Sequence, residues 1–252
     1  MTFYELYKNL CESYPDALRC EWDNDGIMCS DCLEREVKRV LIALDVTMDT
    51  VEYACSNSFD TIISHHPLVF RRQNSLNPLS YTQNKLIKLV KGGVGVMSFH
   101  TRLDAALGGV NDVLSSVLGL NGVTADIADP IGRIGYLDKA TKLSDFAKHV
   151  KEKLDSCAVL YSGNKDVHKV YVVGGDGKDL IDNAIANGCD TIVTGRASYN
   201  TAIDACDMGL NIVEAGHFYT ENPVCKAVEN KIKELDANIE TFIYNSNRIN
   251  MI

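Results

Sequence analysis

The chain has 252 residues, 46% of them apolar and 23% charged, a globular composition that excludes disorder, collagen and fibre and leaves room for one large domain or two small ones. Twenty-five basic residues against 34 acidic ones give a net charge of −9, a field that repels phosphodiester backbones and makes nucleic acid a poor partner. No apolar run approaches the roughly 20 residues of a membrane helix, and the N-terminus lacks a basic start followed by an apolar core, so a cytoplasmic protein without membrane association is expected.

Short apolar runs at 37–46, 61–64 and 94–99 read as strands, and helical periodicity at 48–58, 81–91 and 110–118 reads as helices between and after them. Beyond Asp129-Pro130 the pattern restarts with a strand at 133–137, a helix at 141–155 and strands at 158–162 and 169–173. A helix at 180–187, a strand at 191–194, a helix at 197–207, a strand at 211–215, a helix at 223–235 and a strand at 239–244 complete it. Alternation at this density predicts an α/β fold. Ile42-Ala43-Leu44-Asp45 stands 130 positions before Val172-Val173-Gly174-Gly175, and Asp60-Thr61-Ile62-Ile63-Ser64 stands 130 before Asp190-Thr191-Ile192-Val193-Thr194. The shared offset predicts an internal repeat of two similar α/β domains with mixed sheets, residues 1–126 and 127–252.

The nine cysteines are odd in number and scattered, which fits reduced thiols. Cys29-Ser-Asp-Cys32 has no second pair to complete a four-sulfur zinc site and reads as two incidental loop cysteines. Gly174-Gly175-Asp-Gly177, between a strand and a helix, lacks the spacing of a phosphate-binding loop and reads as a tight turn. Trp22-Asp23-Asn24-Asp25-Gly26 reads as an Asx-rich turn.

Histidine is scarce, six in all, yet His65, His66, His100 and His217 each stand directly after an apolar strand. Ligands of open α/β sheets bind at the carboxyl ends of strands, so this placement concentrates imidazoles where a site forms. His149 and His168 read as surface residues. Two of the four carry a carboxylate four positions on, His100 with Asp104 and His217 with Glu221, a spacing that shares one face if the segment turns helical. Mixed nitrogen and oxygen donors suit zinc, manganese, iron or cobalt. Adjacent His65 and His66 diverge from a strand and serve two ions better than one, with a carboxylate such as Glu221 bridging. Asp45, at the end of a strand in the same half, reads as a residue behind the ligands or as a base.

Ser64-His65-His66-Pro67, His100-Thr-Arg-Leu-Asp104 with Gly108-Gly109-Val110-Asn111-Asp112, and Ala215-Gly216-His217-Phe-Tyr-Thr-Glu221 resemble the three signature blocks of the Nif-three-like dinuclear metal-centre family. The resemblance extends to Trp22-Asp23-Asn24-Asp25-Gly26, Leu44-Asp45-Val46-Thr47 and Val193-Thr194-Gly195, and so covers nearly the whole chain. It implies a two-domain α/β protein that assembles as a toroidal homohexamer, with two divalent ions per subunit (zinc, manganese or iron) between the domains. By matching position it implies His65, His66, Asp104, His217 and Glu221 as ligands, with His100 near them or behind them. Family members are often labelled GTP cyclohydrolase homologues, a label that comes with the resemblance alone.

Three positions depart from the family pattern: Arg102 where Asn is usual, Arg196 where an acid is usual, and Asn200 where His is common. The two arginines suggest binding of an anionic small-molecule substrate, or pairing with carboxylates of a neighbouring subunit. The function expected is a metal-dependent hydrolase in which a water made acidic by two cations attacks phosphorus or a ring carbon of a phosphate-containing or nucleotide-like substrate. The alternative is a metal-handling or scaffold protein that turns nothing over.

Overall fold

The computed structural model describes residues 1–250. Local chemistry sets where several helices begin. Thr2 Oγ1 accepts from Glu5 N while Glu5 Oε2 accepts from Thr2 N, a reciprocal cap that starts α1 (Phe3–Ser13). Thr47 and Thr50 exchange equivalent bonds, and Ser198 Oγ accepts from Thr201 N. After α1 come β1 (Gly26–Cys29), β2 (Arg39–Ala43), α2 (Met48–Ser56), β3 (Thr61–Ser64), α3 (Tyr81–Gly92), β4 (Gly95–Ser98) and α4 (Thr101–Ala105). Then follow α5 (Val110–Val117), β5 (Asn121–Ala125), β6 (Arg133–Thr141), α6 (Leu143–Lys153), β7 (Leu160–Ser162), β8 (Val167–Asp176) and α7 (Ile181–Ala186). The last are β9 (Thr191–Arg196), α8 (Tyr199–Asp207), β10 (Asn211–Glu214), α9 (His217–Glu221), α10 (Val224–Leu235) and β11 (Glu240–Ile243). Among the described residues no helix is long and apolar enough to cross a membrane.

The chain divides into two compact units, one of Met1–Ala106 with Cys225–Arg248 and one of Leu107–Val224 with Ile249 and Asn250. The division expected at 126/127 is therefore corrected. Pairing rather than chain order decides it, because β5 pairs with β6 of the second sheet and β11 pairs with β2 of the first.

The first unit holds a five-stranded sheet in the order β1-β4-β3-β2-β11, parallel except for antiparallel β1. Its inner strands are apolar on both faces, as parallel strands covered on both sides must be. Leu41, Ile62 and Val96 pack with Val51 and Ala54 of α2 and Leu89 of α3. On the opposite face Phe3 of α1 lies so close to Gly95 that a Cβ there would stand 2.4 Å from its ring. The second unit holds six strands in the order β5-β6-β8-β9-β10-β7, with β8, β9 and β10 parallel and the outer pairs antiparallel. Val170, Val172, Val193 and Val213 face α5 and α6, while Tyr171, Val173, Ile192 and Ile212 pack on the opposite face with α7 and α8.

The repeat is visible atom by atom. Val40 pairs with Thr61 and Ile42 with Ile63 in one sheet, and Val170 with Thr191 and Val172 with Val193 in the other, the same register displaced by the offset seen in the sequence. Asp60 Oδ2 accepts from Lys38 N and Arg39 N, both at 2.8 Å, and Asp190 Oδ2 accepts from His168 N and Lys169 N at 3.0 and 2.7 Å. Each carboxylate satisfies two amides where a strand begins. Sequence periodicity assigned no element to α1, β1 or β5; the two strands are short, outermost and paired antiparallel, where alternation is weakest.

In the second unit Asp126, 3% exposed, gathers four donors: Ala128 N at 3.0 Å, Tyr171 Oη at 2.8 Å, Asn183 Nδ2 at 2.9 Å and Asn187 Nδ2 at 3.2 Å. Burial opposes its charge, but these bonds outweigh it and lower its pKa. A carboxyl depressed in the folded state stabilises above its unfolded value, about 4, and loses that contribution as pH falls through the folded value. Asp126→Asn should therefore lower the Tm most at neutral pH, with the deficit shrinking below about pH 4 in thermal denaturation at several pH values. A deficit independent of pH would contradict it.

Candidate functional site

In the first unit β2, β3 and β4 lie side by side with Ala43, Ser64 and Ser98 in register, so the residues that follow them emerge from one edge of the sheet. These are Asp45, His65, His66 and His100. Hydrogen bonds extend the ladder beyond the strands, from Phe99 N to Ser64 O and from His66 N to Leu44 O, each 2.9 Å. Ser64 Oγ and Ser98 Oγ meet at 2.8 Å. The imidazole centroids of His65, His66 and His100 are consequently 4.9 to 5.7 Å apart. One ring nitrogen from each lies within 4.8 Å of the others, a spacing that a metal ion can fill.

Each ring is fixed through Nδ1. His65 Nδ1 meets Phe99 O at 3.0 Å, His66 Nδ1 meets Asp45 Oδ1 at 2.7 Å, and His100 Nδ1 meets Asp23 Oδ1 at 2.8 Å. A carbonyl and two carboxylates only accept, so Nδ1 carries a proton in all three rings, and in the neutral imidazole this leaves Nε2 as the atom that can bind a metal. That is the arrangement by which a second layer of acceptors orients metal-binding imidazoles. The donor set therefore fits a transition-metal ion. Asp104 joins the cluster from α4, with Oδ1 3.6 Å from His65 Nε2. The i, i+4 spacing pointed to His100 as its neighbour; a helix of one turn brings Asp104 toward the buried His65 instead.

The Trp22-Asp23-Asn24-Asp25-Gly26 segment is the N-terminal anchor of α4. Asp23 Oδ2 accepts from Thr101 N at 3.0 Å and Thr101 Oγ1 at 2.6 Å, and Asp25 Oδ2 accepts from His100 N at 3.1 Å. Burial raises the Asp23 pKa, but the bonds from His100 and Thr101 outweigh it and bring it down to about 2. Ser246 was not singled out by the sequence. Its Oγ accepts from Asp45 N at 3.1 Å and donates to Asp45 Oδ2 at 3.3 Å. Asp45 thus has one oxygen on His66 and the other on Ser246.

Arg102, expected to bind a substrate anion, is 1% exposed. Nε and an Nη bond both oxygens of Asp25 at 2.8 and 2.5 Å, and the other Nη donates to Tyr14 O at 3.3 Å. Burial works against the charge, yet Asp25 more than offsets it and the guanidinium pKa is raised. The expectation is corrected: this guanidinium is committed inside its own unit. Arg196, at the end of β9 in the second unit, is exposed, as is Asn200 on α8.

In the second unit α9 places His217 Nε2 3.0 Å from Glu221 Oε2, with the His217 side chain 46% exposed and that of Glu221 6%. The glycines read as a tight turn lie mostly within β8, and they make room for this pair. A Cβ on Gly175 would stand 2.2 Å from Glu221 Oε1 and 3.2 Å from His217 Nε2, and one on Gly195 would stand 2.7 Å from His217 Cα. Asn111 Oδ1 and Thr220 Oγ1 accept from Gly174 N and Gly175 N at 2.7 and 3.1 Å, which holds the strand against the carboxylate. Cys29 is half-buried and Cys32 exposed, and the clusters able to hold a metal among the described residues contain no cysteine.

The sequence profile of the family described as Duf34/NIF3 (NGG1p interacting factor 3) matches residues 1–249. A Clostridium perfringens protein named GTP cyclohydrolase 1 type 2 homolog is 34% identical over 238 residues, covering 91% of this chain and 90% of its own. A Schizosaccharomyces pombe protein named Protein NIF3 homolog is 30% identical over 240 residues, covering 88% of this chain and 85% of its own. The crystal structure of a Staphylococcus aureus hypothetical protein superposes with a TM-score of 0.90 at 25% identity, over 100% of this chain and 99% of that one. A Bacillus cereus protein related to NIF3 has the same fold, with a TM-score of 0.89 at 23% identity over 100% and 99% of the two chains.

Arg102→Leu should destabilise by about 3–5 kcal/mol, since it strands Asp25 in the interior, and an unchanged denaturation midpoint would contradict the structural role. Gly175 and Gly188 share a φ of +66°, but a Cβ on Gly188 meets nothing within 4 Å. Alanine at either should cost about 1–2 kcal/mol of backbone strain. Only Gly175→Ala should also reduce retained metal, measured by mass spectrometry, because only there does the methyl displace Glu221.

Proposed function

The chain belongs to the Duf34/NIF3 family, and from that premise we propose that it binds two divalent transition-metal ions and acts as a metal-dependent hydrolase on an anionic, phosphate-containing or nucleotide-like substrate. The ligands in this proposal are His65, His66 and Asp104 from the first unit and His217 and Glu221 from the second, with His100 added to them. The observation that carries it is that His65, His66 and His100 are each fixed through Nδ1 and bring one ring nitrogen apiece within 4.8 Å of the others. When bound, such ions supply Lewis acidity toward a phosphoryl group or ring carbon and lower the pKa of water.

The protein's own residues prepare that chemistry. Asp45 and Asp23 fix the orientation of the imidazoles they hold, and Ser246 fixes Asp45 in turn. The His66 and His100 side chains are 24% and 18% exposed while that of His65 is 1% exposed, so a substrate would approach past the first two. Arg196 offers exposed positive charge toward an anion. The name of the Clostridium perfringens relative, a GTP cyclohydrolase 1 type 2 homolog, agrees with a nucleotide-like substrate. A ring of six copies in the cytoplasm belongs to the same proposal.

Metal content tests it first. Protein purified without added metal or chelator, and again after chelation and reloading, should carry about two ions per chain. His65→Ala and Glu221→Ala should each carry fewer, and His65→Ala should abolish hydrolysis of a panel of phosphate esters and cyclic nucleotides. A wild type that neither retains nor reloads an ion would overturn the reading. Metal transfer to an apo client without turnover would favour a metal-handling protein.

A further inference from the structure

Two aromatic rings of the first unit stand in solvent beside the imidazole cluster. Trp22 is 65% exposed and Phe70 is 51% exposed, and their centroids are 6.2 Å apart at 69°. Each lies 6.2 Å from the His100 ring, edge to face, at 77° for Trp22 and 89° for Phe70. Their positions are set by polar ties. Asp23, next to Trp22, holds His100, and Asn24 Nδ2 donates to Val69 O, which joins the turn carrying Trp22 to the loop carrying Phe70. The two residues that follow Phe70, Arg71 and Arg72, are exposed.

A protein that needed these rings for its core would bury them; here the turn and loop that carry them are tied down while half or more of each residue is left in water. An edge-to-face contact occupies one face of one ring only and leaves the opposite face for a third flat group, and aromatic faces with guanidinium charge nearby hold single heteroaromatic rings with attached phosphates. We infer that Trp22 and Phe70 form a stacking subsite for a flat heteroaromatic ring carrying an anionic group, with Arg71 and Arg72 facing the anion, and that this subsite presents the ligand to His65, His66 and His100. The inference rests on reading that cluster as a metal centre, and it adds the substrate's shape: a planar ring and a charge.

The chain has one tryptophan, so intrinsic fluorescence excited at about 295 nm reports on Trp22 alone. Metal-loaded protein is titrated with adenosine and guanosine 5′-monophosphates, with ribose 5-phosphate and adenosine as ringless and uncharged controls, and bound metal is measured on the same sample. The monophosphates should quench saturably and ribose 5-phosphate should not. Phe70→Ala should weaken their binding about five- to a hundredfold, the usual range for loss of one base-stacking ring. Arg71→Ala with Arg72→Ala should weaken the monophosphates while leaving adenosine unchanged.

Absence of saturable quenching to millimolar concentration in protein that carries its metal overturns the subsite and leaves the metal reading intact. Emission already at a buried wavelength without nucleotide, meaning that a second copy covers the rings, overturns it as well. Saturable quenching in protein that binds no ion supports the subsite and removes the metal reading.

Discussion

The parallel register of β2, β3 and β4 is the constraint from which the chemistry of the first unit follows. Because Ala43, Ser64 and Ser98 stand abreast, the next residue or two of each strand projects from the same edge, and four groups separated by up to 55 positions in the chain become neighbours without any long loop to place them. The ladder bonds from Phe99 to Ser64 and from His66 to Leu44 then carry the rigidity of the sheet one residue past its end. A site built this way would lose little entropy on binding an ion, since the three imidazoles are already held close together.

The second unit repeats the scaffold and alters its contents. The offset that aligns the strands also aligns Asp45 with Gly175, His65 with Gly195 and His66 with Arg196. Where the first unit has a carboxylate and an imidazole, the second has glycines that admit His217 and Glu221 from α9. The two units thus share backbone geometry down to the paired amides on Asp60 and Asp190, while their donors come from different elements, strand ends in one and a short helix in the other.

Much of this was legible in the sequence because it is periodic or local. Apolar strands, the histidines directly after them and the repeat offset are properties of short windows. Other features were hidden because they depend on partners distant in the chain. The Trp22-Asp23-Asn24-Asp25 turn acquires its role from α4, 75 or more positions later, and Ser246 acts on Asp45 across 201 positions. Arg102 shows the limit most clearly: a guanidinium in a signature block reads as a substrate ligand until Asp25 is seen to hold both its arms in the interior. The glycines of β8 were read as a turn because sequence shows the missing side chain but not the carboxylate that fills the space.

The first unit is interrupted by the second, and its last pieces are β11 and the Asp45-binding Ser246. During synthesis the open edge of β2 has no partner until residues 240–243 leave the ribosome, after the whole six-stranded sheet of the second unit has emerged. The exposed strand edge in that interval invites pairing with other nascent chains. The latch on Asp45, and with it the final orientation of His66, closes only after β11 has emerged. Until that stretch has emerged, Asp45, His65, His66 and His100 stand at the edge of an unfinished sheet.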